Sequence, residues 1–371
     1  MRYAYKKKIY IFVFTVVDAV GSILFKAVRA FSGKRSERQE VPGRILLIRI
    51  DHIGDIINST VVLEPIRKAF PDAAIDFLAP SWAAEILENN RHLDNVIRFD
   101  PPWFDRRVSG FSGQFKGIFS LTDIIRKGDY DLCVDLRGDF RHILAMSLAG
   151  VKRRVGYGIT GGGFMLTDEV PYEENAHETG KNTRLLKTVG VEADASRVDL
   201  EFRDSDREAA GRLVSRESIE GKYAVIHTTP GHNMKEWDRG KFNDIMRYIS
   251  EEKCFMPVKV GGVADPMDPG SKDVRIVDIA GKTTLGVLYN VIKGASLFVG
   301  VDSAPAHMAA AAGVPTIILF SGINDPGRWA PSGTNVKVLY PGAGRDLLGI
   351  KVEDVRRMID EMVDEEGRTA R

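Results

Sequence analysis

Acidic side chains stand where an apolar run of the sequence gives way to a helical pattern. RILLIRI, residues 44–50, predicts a buried strand, and the two acids of DHIGD, Asp51 and Asp55, follow it directly. The apolar residues of IINSTVVLEPIRKAF then recur at helical spacing. Open α/β sheets bind ligands at the carboxyl ends of their strands, and a carboxylate placed there can take a proton from a hydroxyl group.

A second group of polar residues, in DSAPAHMAAAAG, follows the strand pattern SLFVGV. Pro305 suits the first turn of a helix, and the small residues after it let that helix approach a sheet closely. The amides at such a helix start, together with the helix dipole, favour an anion, and a diphosphate suits the site. Capping of the helix by Asp302 or Ser303 is the alternative, and the two roles are compatible.

Two further strand ends carry charged residues. Lys235, in HTTPGHNMKEW, is predicted to lie opposite the Asp302 turn, where it either neutralises phosphate charge or is simply solvated. Asp265, in KVGGVAD, either accepts hydrogen bonds from ribose hydroxyls or is a turn aspartate before Pro266.

Two glycine motifs do not fit phosphate loops. GYGITG, residues 156–161, matches a dinucleotide-binding pattern, but two more glycines follow where a helix should open. AGKTT, residues 280–284, has Ile276 where a phosphate-binding loop needs its first glycine. The sequence contains no HExxH motif, nucleophile elbow or His/Asp metal cluster, so the residues for hydrolytic metal chemistry are lacking.

Strand-like and helix-like runs alternate from residue 44 onwards, which predicts an α/β fold with parallel sheets covered by helices. The pattern restarts near residues 205–221, and a length of 371 residues favours two domains. We predict an N-terminal segment with a charged linker at residues 1–42, and domains at residues 43–210 and 211–371 with a ligand cleft between them.

Basic residues mark two stretches of the first domain. The segment at residues 101–117 is too long and irregular for a routine connection, so it predicts a loop that either contacts an anionic partner or is solvated. Its basic residues are Arg106, Arg107 and Lys116. Arg137 and Arg141, after the strand pattern DYDLCVDLRG, either contact phosphate or carboxylate groups or are solvated.

The first forty residues differ from the rest of the chain. Lysines at residues 6–8 precede an apolar run, residues 9–31, whose polar residues line one narrow stripe of a helix. These polar residues are Thr15, Asp18, Ser22, Lys26 and Arg29. The wide apolar face favours an amphipathic helix lying in a membrane surface, while Asp18 makes a spanning helix expensive. A single spanning segment, or a helix packed on the protein itself or on a partner, are the alternatives.

The composition is that of an ordinary globular protein, with 44% hydrophobic and 28% charged residues. The net charge of +1 provides no bulk electrostatic argument for a nucleic-acid partner. The only two cysteines, Cys133 and Cys254, form no CxxC pair, which fits a reducing compartment.

In this order and spacing, IRIDHIGD, HTTPGHNMKEW, DSAPAHMAAAAG and FSGINDPGRWAP resemble the bacterial heptosyltransferases of glycosyltransferase family 9, which build the lipopolysaccharide inner core. The match runs from about residue 44 to residue 340. The form DSAPAH, in place of the commoner glycine version, favours the branch that adds a later heptose (type III). Ala304 stands where many relatives have glycine, so the backbone there is less open to a ligand.

The resemblance implies a GT-B fold, in which two Rossmann-like domains with parallel sheets face a central cleft. The first domain would bind the acceptor, and the second would bind ADP-heptose as a substrate, with inverting transfer and neither metal nor other cofactor. Asp55 matches the proposed general base of the family, and Lys235 matches a lysine that contacts the donor phosphate. Matches to donor-site positions are Thr228, Thr229, Asp265, Asp302, Ser303, Ala304 and His307.

The acceptor side is predicted to include Asp51, His52, Arg137 and Arg141. One feature opposes the base role of Asp55, because a carboxylate near a helix start should have a lowered pKa and be a weaker base. Capping of the helix at Ile56 is therefore its alternative role.

These observations predict a glycosyltransferase that acts on a membrane-borne anionic glycolipid. We expect it in the cytoplasm, attached peripherally to the inner face of the bacterial inner membrane, with a nucleotide-sugar, a glycolipid and the membrane surface as partners and no nucleic acid. Two alternatives stay open at this point. One is a GT-B sugar-nucleotide epimerase with the same donor pocket, and the other is a non-catalytic nucleotide-sugar-binding protein at the membrane.

Overall fold

The structure is a computed structural model that describes residues 15–23, 41–104, 111–229, 233–262 and 274–369. It divides into two compact units, Met1–Ala195 and Ser196–Arg371. The sequence places the second domain at residue 211 onwards, whereas the second unit starts earlier. The reason is a helix at Asp204–Arg216 that packs on a helix at Leu285–Lys293 of the second unit.

The first unit contains one parallel sheet of six strands in the order β3-β2-β1-β4-β5-β6. The strands are β1 (Arg44–Ile48), β2 (Ala74–Ala79), β3 (Asn95–Arg98), β4 (Leu132–Asp135), β5 (Arg153–Gly156) and β6 (Asp168–Glu169). The apolar side chains of β1 from Ile45 to Ile48 have no exposed surface, because helices cover both faces of the sheet.

The helices of the first unit are α1 (residues 15–23), α2 (Ile53–Ser59), α3 (Leu63–Ala69), α4 (Phe111–Gly128), α5 (Phe140–Ala149) and α6 (Glu178–Thr188). The helix expected after DHIGD is interrupted by a 3-10 turn at Thr60–Val62. Pro65 explains the break, because it has no amide hydrogen to donate to the preceding turn. The predicted loop at residues 101–117 is wrong in its second half, where α4 begins at Phe111. Arg106 and Arg107 lie outside the described residues.

The second unit repeats the arrangement, with a parallel sheet in the order β12-β11-β10-β7-β8-β9. Its strands are β7 (Tyr223–His227), β8 (Met256–Val260), β9 (Val277–Asp278), β10 (Leu297–Val301), β11 (Thr316–Leu319) and β12 (Val336–Leu339). Its helices are α7 (Asp204–Arg216), α8 (Arg239–Lys253), α9 (Leu285–Lys293), α10 (Ala304–Ala311), α11 (Pro326–Trp329) and α12 (Val352–Thr369). The final helix packs into the core of this unit through Val355, Ile359 and Met362.

Both sheets have the strand order of the dinucleotide-binding fold, so each unit is Rossmann-like. In that order the chain reverses direction across the sheet between the first and fourth strands, which are β1 and β4 in one unit and β7 and β10 in the other. The reversal opens a crevice at the carboxyl ends of those strands. The residues singled out in DHIGD and DSAPAH follow β1 and β10, so both stand at such a crevice.

Within the part of the chain that the structure describes, no helix combines the length and the apolar character needed to cross a bilayer.

Candidate active site

Asp55 lies in the first turn of α2, just after the loop that connects β1 to this helix. His52 is the N-cap residue, and its side chain makes no capping hydrogen bond. The amide of Ile56 donates to the carbonyl oxygen of His52 at 3.1 Å, so the alternative that Asp55 caps the helix there is wrong. The Asp55 carboxylate is instead held by Arg49, whose Nη2 lies 3.1 Å from Asp55 Oδ1.

Arg49 is the centre of a buried ion cluster. Its Nη2 lies 3.4 Å from Asp51 Oδ2 and 3.6 Å from Glu178 Oε2, in addition to the contact with Asp55. Its Nη1 donates to the carbonyl oxygen of Leu136 at 2.5 Å, which joins the end of β1 to the end of β4. Burial acts to lower the pKa of Arg49, but the surrounding carboxylates raise it above its ordinary value, so the guanidinium stays charged.

Three carboxylates, those of Asp51, Asp55 and Glu178, share the Arg49 guanidinium. Glu178 is also bonded to Lys181, at 2.7 Å, and that lysine is buried as well. Burial raises the pKa of Asp55 to about 7, helped by the negative charges of Asp51 and Glu178 and opposed by Arg49 and Arg137. The expected lowering of the Asp55 pKa is therefore wrong, since desolvation and like charges outweigh the position at a helix start. A pKa near 7 suits a general base at neutral pH.

Arg137 reaches this cluster from the turn after β4. The turn is fixed by Asp135, which is fully buried and accepts the amides of Arg137 at 3.2 Å and Gly138 at 3.0 Å. Gly138 has φ +79°, and a Cβ there would lie 2.8 Å from the carbonyl oxygen of Tyr157, so only glycine fits. The turn sets the Arg137 guanidinium 3.3 Å from Asp51 Oδ1, where it also donates to the carbonyl oxygen of Ile50.

Arg141, also predicted to contact the acceptor, is engaged within the protein. Its Nε and Nη2 bind the Asp139 carboxylate at 2.8 and 2.5 Å, and its guanidinium lies 4.4 Å from the centre of the Trp103 ring. Burial opposes ionisation of Asp139, but the hydrogen bonds from Arg141 hold its pKa below the usual range. Contact between Arg141 and an acceptor stays a prediction.

A cavity of about 810 Å³ adjoins the Asp51 turn in the first unit. Trp82 forms part of its wall and donates from Nε1 to the carbonyl oxygen of Asp51 at 3.2 Å. The ring of Phe104 lies 5.5 Å from that of Trp82 and 6.2 Å from that of His52. The cavity is lined by His52, Trp82, Phe99, Asp100, Pro101, Pro102, Phe104, Gly113, Lys116, Gly117 and Ser120. It is therefore an aromatic pocket with one acid and one lysine.

In the second unit, Lys235 and Asp302 form an ion pair. Lys235 Nζ lies 2.5 Å from Asp302 Oδ2 and 3.3 Å from the Asp302 carbonyl oxygen, and Asn324 Nδ2 approaches the same carboxylate at 3.5 Å. Lys235 thus lies beside the Asp302 turn rather than opposite it. The pair stands at the carboxyl ends of β7 and β10, and contact between Lys235 and a donor phosphate stays a prediction.

Ser303 and His227 form a second contact at the same edge. His227 Nδ1 lies 2.9 Å from Ser303 Oγ, and Ser303 Oγ donates to the carbonyl oxygen of Val301 at 3.1 Å. Burial lowers the pKa of His227 to about 4, so its ring is neutral at pH 7. Gly300 makes room for it, since a Cβ at that position would lie 3.0 Å from His227 Cβ.

The start of α10 is left without a side-chain cap. Ser303 is the N-cap residue, but its hydroxyl is used as described and does not cap the helix, so the capping alternative for Ser303 is wrong. Ala304 begins the helix, and His307 is buried one turn further on. An uncapped helix start retains its preference for an anion.

Thr228 and Thr229 follow β7 at the same edge. The Thr229 hydroxyl is buried and has no hydrogen-bond partner among the described residues. Asp265 lies outside the residues that the structure describes. The donor-site roles of these residues stay predictions.

Comparison with known proteins decides the family. The model of "Glycosyltransferase family 9 (heptosyltransferase)" matches residues 118–344, more than half of the chain. This chain belongs to glycosyltransferase family 9. The resemblance seen in the sequence is thereby confirmed, and the chain is a glycosyltransferase.

The family 9 chain is 26% identical to lipopolysaccharide heptosyltransferase 3 of Escherichia coli over 305 residues, which cover 79% of this chain and 88% of the relative. It is 20% identical to lipopolysaccharide heptosyltransferase 1 of Escherichia coli O18:K1:H7 (strain RS218 / NMEC), over 86% of this chain and 97% of the relative.

Solved structures agree on the fold. A family 9 glycosyl transferase from Veillonella parvula DSM 2008 superposes with a TM-score of 0.74 at 21% identity, covering 87% of this chain and 97% of the other. The ADP-heptose lipopolysaccharide heptosyltransferase II of E. coli superposes with a TM-score of 0.69 at 18% identity, covering 87% and 99%. The predicted GT-B class, with two Rossmann-like domains, is confirmed.

Several site residues of this family 9 chain are not predicted from its sequence. Arg49 has a local signal, because it is a charge inside the apolar run RILLIRI, and His227 ends a strand. Glu178 has no such local signal, since it lies far along the chain from Arg49 and contacts it only in the folded protein. Within the described ranges, no three His, Cys, Asp or Glu side chains come together as a group able to hold a metal ion.

Proposed function

We propose that this family 9 glycosyltransferase moves a heptose from ADP-heptose to an anionic glycan of the lipopolysaccharide inner core, with inversion and without a metal. The observation that carries the proposal is the Asp55 carboxylate, held by Arg49 at the crevice of the first unit with its pKa raised to about 7. The relatives named lipopolysaccharide heptosyltransferases 3 and 1 support the choice of sugar and acceptor.

On the acceptor side, Asp55 takes the proton of the attacking hydroxyl. The acceptor oxygen forms a bond to the anomeric carbon of the heptose while the bond from that carbon to the diphosphate oxygen breaks. ADP leaves with the bonding electrons, and Asp55 retains the proton. Because a single displacement attacks the face opposite the leaving group, the configuration at the anomeric carbon inverts.

On the donor side, Lys235 and the uncapped start of α10 supply the positive potential that the leaving diphosphate needs. Lys235 is paired with Asp302 at 2.5 Å, so a diphosphate competes with Asp302 for the ammonium group. The neutral ring of His227, bonded to Ser303, stabilises the backbone where α10 begins. The Thr229 hydroxyl provides a buried group for a further hydrogen bond to the donor.

On the same proposal, the aromatic cavity in the first unit holds a sugar ring of the acceptor. Aromatic faces attract the C–H edges of a pyranose, and Trp82, which lines the cavity, is 41% exposed. Lys116 on the wall and Arg137 beside Asp51 suit a phosphate or carboxylate substituent. The substrate class is therefore a glycan that carries negative charge.

Trp82→Ala is expected to raise the KM for the acceptor about 2- to 10-fold, since an aromatic contact contributes about 0.5–1.5 kcal/mol and 1.4 kcal/mol is tenfold in affinity. The KM for the donor should not change. Trp82→Phe, which keeps a ring but loses the hydrogen bond to Asp51, separates stacking from loop support. Steady-state kinetics with both substrates varied give these constants, and an unchanged acceptor KM in Trp82→Ala would remove the cavity from the acceptor site.

A panel of nucleotide-sugars tests the proposed donor. A ligand that binds only the folded chain at 100 times its Kd adds about 2.7 kcal/mol to the free energy of unfolding, so ADP-heptose should raise Tm and UDP- or GDP-sugars should not. ADP-heptose with a deacylated, phosphorylated core oligosaccharide should then yield a heptosylated product. Product formed from the nucleotide-sugar alone would point to an epimerase, and binding without transfer would point to a non-catalytic protein.

We further propose that the chain works on the cytoplasmic side of the inner membrane, attached to its surface. The support is the basic and apolar N-terminal sequence, and the proposed glycolipid acceptor would lie in that membrane.

A further inference from the structure

Helix α1 is attached to the first unit by its polar side. Asp18 is buried, with 2% of its surface exposed, and its Oδ1 accepts the backbone amide of Gly162 at 2.8 Å. Gly21, one turn later, lies against the ring of Phe164, since a Cβ there would be 2.3 Å from that ring. Of the polar residues in the N-terminal run, Asp18 is turned towards the protein.

Helix α1 contacts the glycine-rich stretch GYGITGGG, residues 156–163. This stretch does not fit a phosphate-binding loop, so its glycines need another explanation. Gly162 has φ +79°, which favours glycine, and a Cβ at Gly158 or Gly163 would lie 2.3 or 2.4 Å from the Glu169 carboxylate. These glycines hold the turn close to β6. They also leave the Gly162 amide open to a carboxylate from another segment.

The opposite side of α1 is apolar, and its side chains are exposed among the residues that the structure describes. Val20 and Ile23 expose 52% and 71% of their surfaces, and Val16 and Val17 are exposed as well. Val16, Val20 and Ile23 fall at the spacing of one helix face. A continuous apolar stripe of this kind at a protein surface marks a site of contact.

We propose that α1 is a docked surface anchor, whose Asp18 side is fixed to the Gly162 turn and whose valine and isoleucine side enters the headgroup region of an anionic bilayer. The charge pattern of the sequence selects this occupant, because lysines at residues 6–8 and Lys26 and Arg29 flank the helix in a chain of net charge only +1. Of the alternatives for the N-terminal run, the buried Asp18 agrees with a helix packed on the protein itself, and the exposed apolar side leaves that packed helix able to attach to a membrane surface. A spanning helix would require Asp18 to leave its buried hydrogen bond for the hydrocarbon core.

Docking has a consequence for the acceptor site. A helix held by its own domain, rather than by a linker, presents the first unit to the membrane at a fixed angle. The anchor proposal depends on the proposed function in one respect only, which is that a glycolipid acceptor would lie in the same membrane. The surface itself can be tested without any acceptor.

Vesicle flotation with the full chain tests the anchor. The wild type should float with vesicles containing about one-third phosphatidylglycerol in phosphatidylethanolamine and much less with neutral phosphatidylcholine vesicles. Val20→Glu/Ile23→Glu should lower the fraction bound at least tenfold. Leu348→Glu, at another exposed apolar residue in the second unit, is the matched control and should float like the wild type.

The bond between Asp18 and Gly162 is tested by hydrogen exchange. Asp18→Leu should speed exchange of the Gly162 amide at least tenfold, whereas Asp18→Asn, which retains an acceptor oxygen, should change it little. Flotation of Val20→Glu/Ile23→Glu at the wild-type level would overturn the anchor. The anchor would also be overturned if the wild type were a dimer that Val20→Glu/Ile23→Glu dissociates without changing flotation. The apolar side of α1 would then bind a second copy of the chain. If only the anchor is lost, the same variants should transfer sugar to a lipid-free acceptor at the wild-type rate. This measurement separates failure of the anchor proposal from failure of the proposed function.

Discussion

Asp55→Asn should lower kcat about 1,000-fold while leaving the affinity for the donor unchanged, since a positioned general base contributes about 10²- to 10⁴-fold. The amide has the shape of the carboxylate and can keep one contact with Arg49, but it cannot take the proton of the acceptor hydroxyl. Rapid-quench measurement of a single turnover gives the chemical step, and calorimetric titration of the donor gives its affinity. Transfer at the wild-type rate by a folded Asp55→Asn chain would exclude the base role.

The pH profile separates a base from a merely structural residue. With its pKa raised to about 7, Asp55 is protonated and inactive below that value, so kcat/KM should rise tenfold per pH unit up to about 7 and then level off. Glu178→Gln removes a neighbouring negative charge and should move this limb to lower pH with little change in the plateau. Glu178 thus acts as a positioning residue, and a profile that Glu178→Gln leaves in place would contradict this electrostatic coupling.

The same carboxylate should lower stability at neutral pH. The pKa of Asp55 rises from 3.8 in the unfolded chain to about 7 in the folded one, so the folded state holds the proton over that interval and loses stability as pH rises through it. Asp55→Asn should therefore be more stable than the wild type at pH 8, by on the order of a few kcal/mol, with little gain at pH 4. His227 gives the opposite slope between about 4 and 6.5, so the difference between variant and wild type is the informative quantity.

The parts of the site that follow from local pattern were predicted from the sequence. Strand endings at RILLIRI and SLFVGV predict where Asp55 and Asp302 stand, because strand and helix periodicities are local and parallel strands collect their carboxyl ends at one edge. Those periodicities also predict the two α/β sheets. The domain boundary at residue 211 stays a prediction. The compact unit that begins at Ser196 includes α7 because α7 packs on α9, and this contact is distant in sequence.

What could not be predicted depends on burial and long-range pairing. The pKa of Asp55 depends on desolvation and on Glu178, neither of which is visible in the sequence around DHIGD. The alignment of Lys235 with Asp302 depends on how β7 and β10 pair, and that register is decided by the whole sheet. The burial of Asp18 likewise depends on a turn far away at Gly162.

Lys235→Met should lower kcat about 100- to 1,000-fold, the range found when one preorganised group that stabilises developing charge is removed. Methionine keeps much of the length and apolar volume of lysine but cannot offset the charge on the departing diphosphate. Lys235→Arg, which keeps the charge, should restore part of the rate. Lys337→Met removes another lysine of the second unit, paired with Glu361 at 3.0 Å, and serves as the matched control with kcat near that of the wild type.

Asp302 makes the Lys235→Met variant more informative. Without the lysine, the Asp302 carboxylate has lost its ion-pair partner at the place where the diphosphate would bind. The single variant should therefore raise the KM for the donor as well as lowering kcat. In Lys235→Met/Asp302→Asn the repulsion is gone, so the donor KM should return towards the wild-type value while kcat stays low. Full recovery of kcat in the double variant would mean that Lys235 only neutralises Asp302. Loss of kcat with recovery of KM is the result expected if the ammonium group transfers from Asp302 to the leaving phosphate as the glycosidic bond breaks.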